Sequence, residues 1–123
     1  MKVNPYLSFN GNCAEAVALY EKAFNVKAQV EMQEQAKNLV GHAEFNIGSD
    51  VIMLYDAAEA IEVGNNIMIT IRFDEPELTE ARAAFDTLKA GGQVIMELGE
   101  TSWSKCFGLL VDKFGIQWNM CQN

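Results

Sequence analysis

The first half of the chain alternates short apolar runs with one longer amphipathic stretch. Residues 5–9 are rich in aromatic side chains and predict a short strand. Across residues 16–24 apolar side chains recur at the three- and four-residue spacing of a helix. Asn12 is predicted to cap this helix with Glu15 as its capping-box partner, and Asn25 is predicted to end it.

Three strands are predicted after this helix, over 28–32, 40–47 and 51–55. The last two are joined by Gly48-Ser49-Asp50, a composition typical of a hairpin turn. The same order of elements begins again after Gly64-Asn65-Asn66. The second half is predicted to hold a strand, a helix opened by Pro76 and three more strands, over 67–73, 76–90, 93–97, 107–111 and 116–121.

The repeated order of elements predicts a duplicated structural unit. No Pro- or Ser-rich linker separates the halves, and a half of roughly 60 residues buries little apolar surface alone. The sequence therefore predicts one α+β domain over residues 1–123, with a first module over about 1–62 and a second over about 63–123.

Composition narrows the class of protein. Half of the residues are hydrophobic, which is enough for a packed core, and the formal net charge is −8. An acidic chain without clustered Lys and Arg is not typical of proteins that bind nucleic acid or anionic membranes. The three cysteines have no C-x-x-C spacing, which favours a reducing compartment, and the predicted location is the cytoplasm. No stretch reaches the roughly 20 consecutive apolar residues of a membrane helix.

Four stretches carry a resemblance to a known family. They are PYLSFNGNCAEA at 5–16, HAEFNIG at 42–48, ETSWSK at 100–105 and VDKFGIQW at 111–118. With these motifs the chain resembles the vicinal oxygen chelate superfamily, which includes glyoxalase I, extradiol dioxygenases and bleomycin-resistance proteins. It is most similar to the PhnB-like, demethylubiquinone methyltransferase-like branch. The resemblance implies a glyoxalase-like fold of two βαβββ modules whose sheets curve around a shared cavity, and it implies a homodimer.

The resemblance also implies where a catalytic metal would be held. Metal-dependent members place His and Glu ligands on three or four strands, because imidazole and carboxylate bind divalent metals. In this chain the corresponding positions hold Pro5 or its neighbours, Met53, the apolar stretch 67–69 and Asn119, none of which is a typical ligand. The interpretation is therefore a protein without a metal or other cofactor, and a divalent metal is the alternative.

His42 is the single histidine of the chain, and Glu44 follows two residues later on the same face of a predicted strand. The pair supplies two donors, whereas a metal site needs three or four. One interpretation is a strand face whose polar groups meet water, a dimer partner or one another. The other is a hydrogen-bonding or acid/base pair at the cavity mouth, and His42 and Glu44 are the candidates for a catalytic base or a metal ligand. Alternation places the apolar Ala43, Phe45 and Ile47 on the other face, which we expect to be the core or cavity side.

Five residues are candidates for contact with a ligand: Tyr6, Met53, Tyr55, Trp103 and Asn119. Met53 and Tyr55 fit core packing as well as cavity lining, and a methionine would make the lining adaptable. Trp103 lies in a polar stretch and is either a cover on the core or a stacking surface. Asn119 either orients a ligand or makes a structural hydrogen bond.

Cys13 stands at the start of the first predicted helix, where the helix dipole lowers the pKa of a thiol. A reactive thiol is therefore one interpretation. The other is a small buried side chain, since no histidine accompanies it in the same element.

Three functions stay open. The first is a small-molecule binding protein without a catalytic metal, with a pocket lined by Met53, Tyr55, Trp103 and Asn119. The second is a metal-dependent lyase, isomerase or dioxygenase of the same superfamily. The third is a structural or regulatory dimer that has no ligand.

Overall fold

A computed structural model describes residues 1–122 of the chain, which divides into two compact units between Glu62 and Val63. The first unit contains β1 Tyr6–Phe9, α1 Cys13–Phe24, β2 Gln29–Glu34, β3 Leu39–Ile47 and β4 Asp50–Asp56. The second contains β5 Ile69–Phe73, α2 Leu78–Leu88, β6 Gln93–Gly99, β7 Phe107–Val111 and β8 Gln117–Gln122. The predicted α+β fold of two βαβββ modules is confirmed, whereas their union in one domain stays a prediction.

The first unit is a four-stranded sheet in the order β1-β4-β3-β2, with α1 packed on one face. β1 is parallel to β4, and the other neighbours are antiparallel. The core between helix and sheet includes Tyr20 and Phe24 of α1, whose rings lie about 6 Å from the ring of Phe45 (6.1 and 6.0 Å between centroids). Burying each such side chain contributes about 1.5–3 kcal/mol, which fixes the face of the sheet that the helix covers.

The second unit repeats this arrangement with the strand order β5-β8-β7-β6 and α2 against β7 and β8. Phe85, Leu110, Trp118 and Met120 are fully buried in its core. Gly108 allows the close approach of helix and sheet, because a Cβ at this position would lie 2.8 Å from a ring atom of Phe85.

The start of α1 differs from the prediction. The side chain of Asn12 makes no capping hydrogen bond, so the predicted capping box with Glu15 is wrong. Asp56, at the end of β4, takes its place: the backbone N–H of Cys13 donates to Asp56 Oδ1 over 3.0 Å. The cap comes from a strand distant in sequence, which a local motif cannot reveal. The predicted end of the helix is confirmed, since Asn25 adopts the left-handed conformation with φ of 51°.

The start of the second helical segment is also more complex than predicted. Pro76 lies in a short 3₁₀ turn, Glu75–Glu77, and α2 follows it and ends at Leu88, before the predicted 90. The turn is closed by the backbone N–H of Asp74, which donates to Glu77 Oε2 over 3.0 Å. The ends of β7 are as predicted, and the other strand ends differ from the predicted ones by at most two residues. Within residues 1–122, no helix is long and apolar enough to cross a membrane.

Candidate functional site

The sheet of the first unit has one face against α1 and one face without a helix. Along β4, Ile52 and Leu54 are buried, whereas the alternate residues Met53 and Tyr55 are half-buried. Cross-strand register puts Tyr6 and Glu44 on either side of Met53, so all three side chains project from the same face. We call this the helix-free face of the first sheet and define it by Tyr6, His42, Glu44, Met53 and Tyr55.

Alternation predicts that the apolar residues of β3 take the core or cavity side, and the core position is confirmed for Ala43 and Phe45. These two buried residues pack on the side of α1. His42 and Glu44 therefore share the opposite face with Met53.

A chain of hydrogen bonds runs across this face. The hydroxyl of Tyr6 lies 3.0 Å from Nδ1 of His42. On the other side of the imidazole, Nε2 lies 3.1 Å from Oε2 of Glu44. Both ring nitrogens of the single histidine are thus engaged by groups from two strands, β1 and β3. The three side chains are partly exposed, which leaves them in contact with both solvent and neighbouring protein.

The ring of Tyr6 connects this chain to a second aromatic group. Its centroid lies 4.8 Å from that of Tyr55, with an interplanar angle of 64°, and 5.6 Å from that of His42, at 80°. Such edge-to-face contacts fix the orientation of a ring. Tyr6 is nevertheless 49% exposed, so its ring and hydroxyl edge are accessible.

In the second unit, Asn119 occupies the middle of a cross-strand row between Thr70 and Leu109. It is buried, and its Nδ2 donates to the backbone carbonyls of Gly108 (3.0 Å) and Met120 (3.3 Å). Both amide hydrogens therefore stabilise the sheet of this unit, as the structural interpretation of Asn119 predicts.

Trp103 lies in the connection between β6 and β7 and is 65% exposed. The connection is held by Thr101 and Ser104, because the backbone N–H of Ser104 donates to Thr101 Oγ1 over 3.0 Å. The indole makes an edge-to-face contact with Phe107 at 5.4 Å. Its large exposure makes it a poor cover for the core and leaves an indole surface accessible.

Two buried acids were not singled out by the sequence. Asp56 accepts hydrogen bonds from the backbone N–H groups of Cys13 and Val40, and so ties α1 to the sheet. Asp112 accepts from two backbone N–H groups of the following turn and from Nε1 of Trp118 over 2.9 Å. Each acid stands at or just after the end of a hydrophobic strand, which is the only sequence signal for them. Their partners identify both as structural.

Of the two interpretations of Cys13, the structure supports the small buried side chain and not the reactive thiol. Burial, and then the neighbouring Asp56 carboxylate, raise the pKa of Cys13 from 9.0 to about 12. The desolvation of a thiolate outweighs the helix dipole here. Burial likewise raises the pKa of Cys106.

The donor set does not fit a divalent metal of the kind that the fold implies. Within residues 1–122, no three His, Cys, Asp or Glu side chains converge in an arrangement that could hold a metal ion. His42 and Glu44 are hydrogen-bonded to each other, and the side chain across from Glu44 on β4 is that of Met53. A thioether is a soft ligand, whereas the oxygen and imidazole sites of this class need harder donors.

Comparisons with known proteins agree with this fold. The profile of the Glyoxalase/Bleomycin resistance protein/Dioxygenase superfamily matches residues 2–120. Protein YjdN of Escherichia coli (strain K12) is 30% identical over 137 aligned positions, covering 96% of this chain and 92% of YjdN. Protein PA1353 from Pseudomonas aeruginosa superposes with a TM-score of 0.85 at 31% identity, covering 100% of this chain and 98% of PA1353. The PhnB protein from Bacillus cereus, described as a putative 3-demethylubiquinone-9 3-methyltransferase, gives 0.74 at 24% identity over the whole of both chains, which shows the shared fold.

Proposed function

The chain belongs to the glyoxalase/bleomycin resistance protein/dioxygenase superfamily, and we propose that it binds a small organic molecule without a catalytic metal. The proposed binding surface is the helix-free face of the first sheet. One observation carries the proposal: a three-membered hydrogen-bonded group, Tyr6–His42–Glu44, lies partly exposed beside Tyr55 and Met53.

The composition of the face supports a ligand with an apolar body and one polar group. Small-molecule sites combine a mostly apolar lining with a few placed polar groups. Tyr55 and Met53 supply the apolar part, and the flexible thioether of Met53 adapts to ligands of different shape. The Tyr6 hydroxyl, held by His42, supplies the polar part.

The metal-free character is part of the proposal. Its support is chemical: Met53 stands where the family resemblance implies a ligand, and the two hard donors of this face, His42 and Glu44, bind each other. The alternative, a metal-dependent lyase, isomerase or dioxygenase, requires further donors that this face does not offer among the described residues.

Trp103 and Asn119 are proposed as ligand contacts of the second unit. Trp103 presents its indole surface for stacking. The side-chain amide nitrogen of Asn119 already donates to two backbone carbonyls. Its Oδ1 is therefore the atom left to accept a hydrogen bond from a ligand. Of the two, Trp103 is the stronger candidate, because Asn119 is almost fully buried.

We also propose that the protein forms a homodimer. The second unit exposes apolar side chains that a partner surface would cover, and these include Ile67, Met68, Ile95 and Met96. Light scattering on a sizing column tests this directly: a mass near twice 13.7 kDa is expected, and a concentration-independent monomer would contradict it.

Two measurements test the proposed function, and the first is a ligand screen. Ligand-observed NMR with a library of small aromatic molecules should yield binders that a Met53→Ala/Tyr55→Ala double variant weakens about tenfold or more, because stacking and apolar contacts are lost. Val30→Ala, which shortens an exposed apolar residue of β2 opposite Ala43 and so on the other face of the sheet, is the control and should bind unchanged. A library without a single binder would contradict the proposal.

Elemental analysis of protein purified without chelator provides the second measurement. We expect less than a tenth of an equivalent of any transition metal. A stoichiometric metal that disappears in His42→Ala would overturn the metal-free proposal and favour the metal-dependent enzyme.

A further inference from the structure

We infer that Tyr6, His42 and Glu44 form a directional hydrogen-bond chain that selects ligands carrying an O–H or N–H donor, and that protonation of His42 removes this preference. The inference rests on the proposed function, since it specifies the ligand class of the same face. It follows from the donor and acceptor capacity of three side chains.

The direction is set at the Glu44 end. An ionised carboxylate only accepts hydrogen bonds, so the nitrogen that faces it must carry a hydrogen. Nε2 of His42 is that nitrogen, 3.1 Å from Glu44 Oε2. The other neutral tautomer would place the lone pair of Nε2 against the carboxylate oxygen at this distance, which is repulsive. Neutral His42 is therefore held as the Nε2–H tautomer.

The tautomer of His42 then determines which atom donates in its hydrogen bond with Tyr6. With the hydrogen on Nε2, Nδ1 of His42 presents a lone pair, and the Tyr6 hydroxyl 3.0 Å away must donate to it. A phenol has one hydrogen, so the outward side of the Tyr6 oxygen can then only accept. Because Tyr6 is 49% exposed, a ligand can reach this oxygen, and the hydrogen bond it makes requires a ligand donor.

Protonation of His42 reverses the chain. Imidazolium donates from both nitrogens, to Glu44 Oε2 and to the oxygen of Tyr6. The Tyr6 hydrogen is then released from His42 and points outward, where it favours a ligand acceptor. The titratable groups around His42 are Glu44 on its own strand, Glu31 directly across on β2, Tyr6 on β1 and, beyond the Tyr6 ring, Tyr55 on β4.

The ligand class is thus a neutral molecule whose apolar body carries one O–H or N–H group. The apolar body contacts Tyr55 and Met53, and the donor meets the Tyr6 oxygen. A ligand whose polar group only accepts, such as an ether or a ketone, receives no hydrogen bond from the Tyr6 hydroxyl while His42 is neutral.

The direction of the chain can be tested without any ligand. The protein has one histidine, so its two imidazole nitrogen resonances are assigned without ambiguity in uniformly ¹⁵N-labelled protein. At about pH 8, where histidine side chains are usually neutral, we expect a protonated Nε2 and an unprotonated Nδ1. In Glu44→Gln, whose amide both donates and accepts, this bias should weaken. Glu31→Gln removes an equal charge beside His42 outside the chain and should leave the tautomer unchanged. A predominant Nδ1–H tautomer in the unaltered protein would overturn the inference.

Two probes that differ in one O–H donor test the ligand class. 4-Fluorophenol carries the O–H group, 4-fluoroanisole carries a methyl group in place of that hydrogen, and ¹⁹F NMR measures the affinity of each. At about pH 8 the phenol should bind about three- to tenfold more tightly, the range expected for one hydrogen bond. Tyr6→Phe should abolish this ratio. At about pH 5 the ratio should fall toward one.

A ratio that is independent of pH, or that persists in Tyr6→Phe, would contradict the inferred ligand class. If neither probe perturbs resonances of the helix-free face, the proposed binding function of this face fails together with the ligand class. The imidazole ¹⁵N resonances test the direction of the hydrogen-bond chain whether or not a probe binds. The two failures are therefore distinguishable.

Discussion

The two sheets have the same strand order but use their polar side chains differently. On the first sheet, the cross-strand row is Tyr6–Met53–Glu44, with an apolar centre and polar flanks. On the second sheet, the corresponding row is Thr70–Asn119–Leu109, with a polar centre. The polar groups of the first row hydrogen-bond to His42, whereas Asn119 donates to backbone carbonyls.

The row on the first sheet is therefore available for binding, whereas the polar group of the row on the second sheet is used in structural hydrogen bonds. Side chains that bond one another at partial exposure keep lone pairs and hydrogens that a ligand can use. Asn119 is almost fully buried, and its hydrogens complete the hydrogen bonding of the sheet. The duplication therefore leaves the first sheet as the better candidate for recognition and the second as a structural counterpart.

The largest expected effect lies in the second unit. Asp112→Ala removes the acceptor for two backbone N–H groups and for Nε1 of Trp118, all of them charge-assisted bonds. We expect a loss of about 3 kcal/mol in the free energy of unfolding, measured by urea denaturation. Asp86→Ala removes an exposed acid paired with Lys89 and should change it by less than about 0.5 kcal/mol. Equal losses in the two variants would show that Asp112 has no special structural role.

A smaller effect is expected where α2 approaches β7. Gly108→Ala introduces a Cβ at 2.8 Å from the Phe85 ring and 2.9 Å from the Leu98 Cα, so helix and strand must separate. The expected loss is about 1–3 kcal/mol by the same denaturation measurement. Gly48→Ala is the matched control for steric crowding, since a Cβ added there would have no atom within 4 Å, although its positive φ of 59° adds a modest backbone cost. A Gly108→Ala variant at least as stable as Gly48→Ala would contradict the close packing.

The fold could be predicted from the sequence because its signals are local and repeated. The period-two runs, the two amphipathic segments and the Asn25 stop are each encoded in a few neighbouring residues. The cap of α1 could not be predicted in this way. Its acceptor, Asp56, lies 43 positions from Cys13 in the chain and reaches it only after the sheet has formed.

The candidate site was predictable in part. Tyr6, His42, Glu44, Met53 and Tyr55 were each singled out by type and position, and the structure brings them to one face. Their mutual geometry was not predictable. The alternation of β3 tells which residues share a face, but only the position of α1 decides which of the two faces is covered.

The comparison between the two sheets can be tested with one asparagine from each sheet. Asn119→Ala should lower the free energy of unfolding by about 1–2 kcal/mol, because it removes the hydrogen bonds that the buried side-chain amide donates to the backbone carbonyls of Gly108 and Met120. Asn46→Ala, at an exposed position of β3, should cost less than about 0.5 kcal/mol. If Asn119→Ala is as stable as Asn46→Ala, the second face is not committed to the fold, and the comparison between the two sheets loses its basis.

The smallest expected effect on stability belongs to the hydrogen-bonded chain itself. Tyr6→Phe keeps the edge-to-face ring contact with Tyr55 and removes only the hydroxyl that is hydrogen-bonded to His42. Because these side chains are partly exposed, water replaces the lost bond, and we expect a change in the free energy of unfolding of about 0.5 kcal/mol or less. Binding of a donor ligand should fall about three- to tenfold in the same variant. A loss of stability of more than about 1 kcal/mol without a loss of binding would assign the hydrogen-bonded chain a structural role, because a group that serves recognition affects the complex more than the free protein.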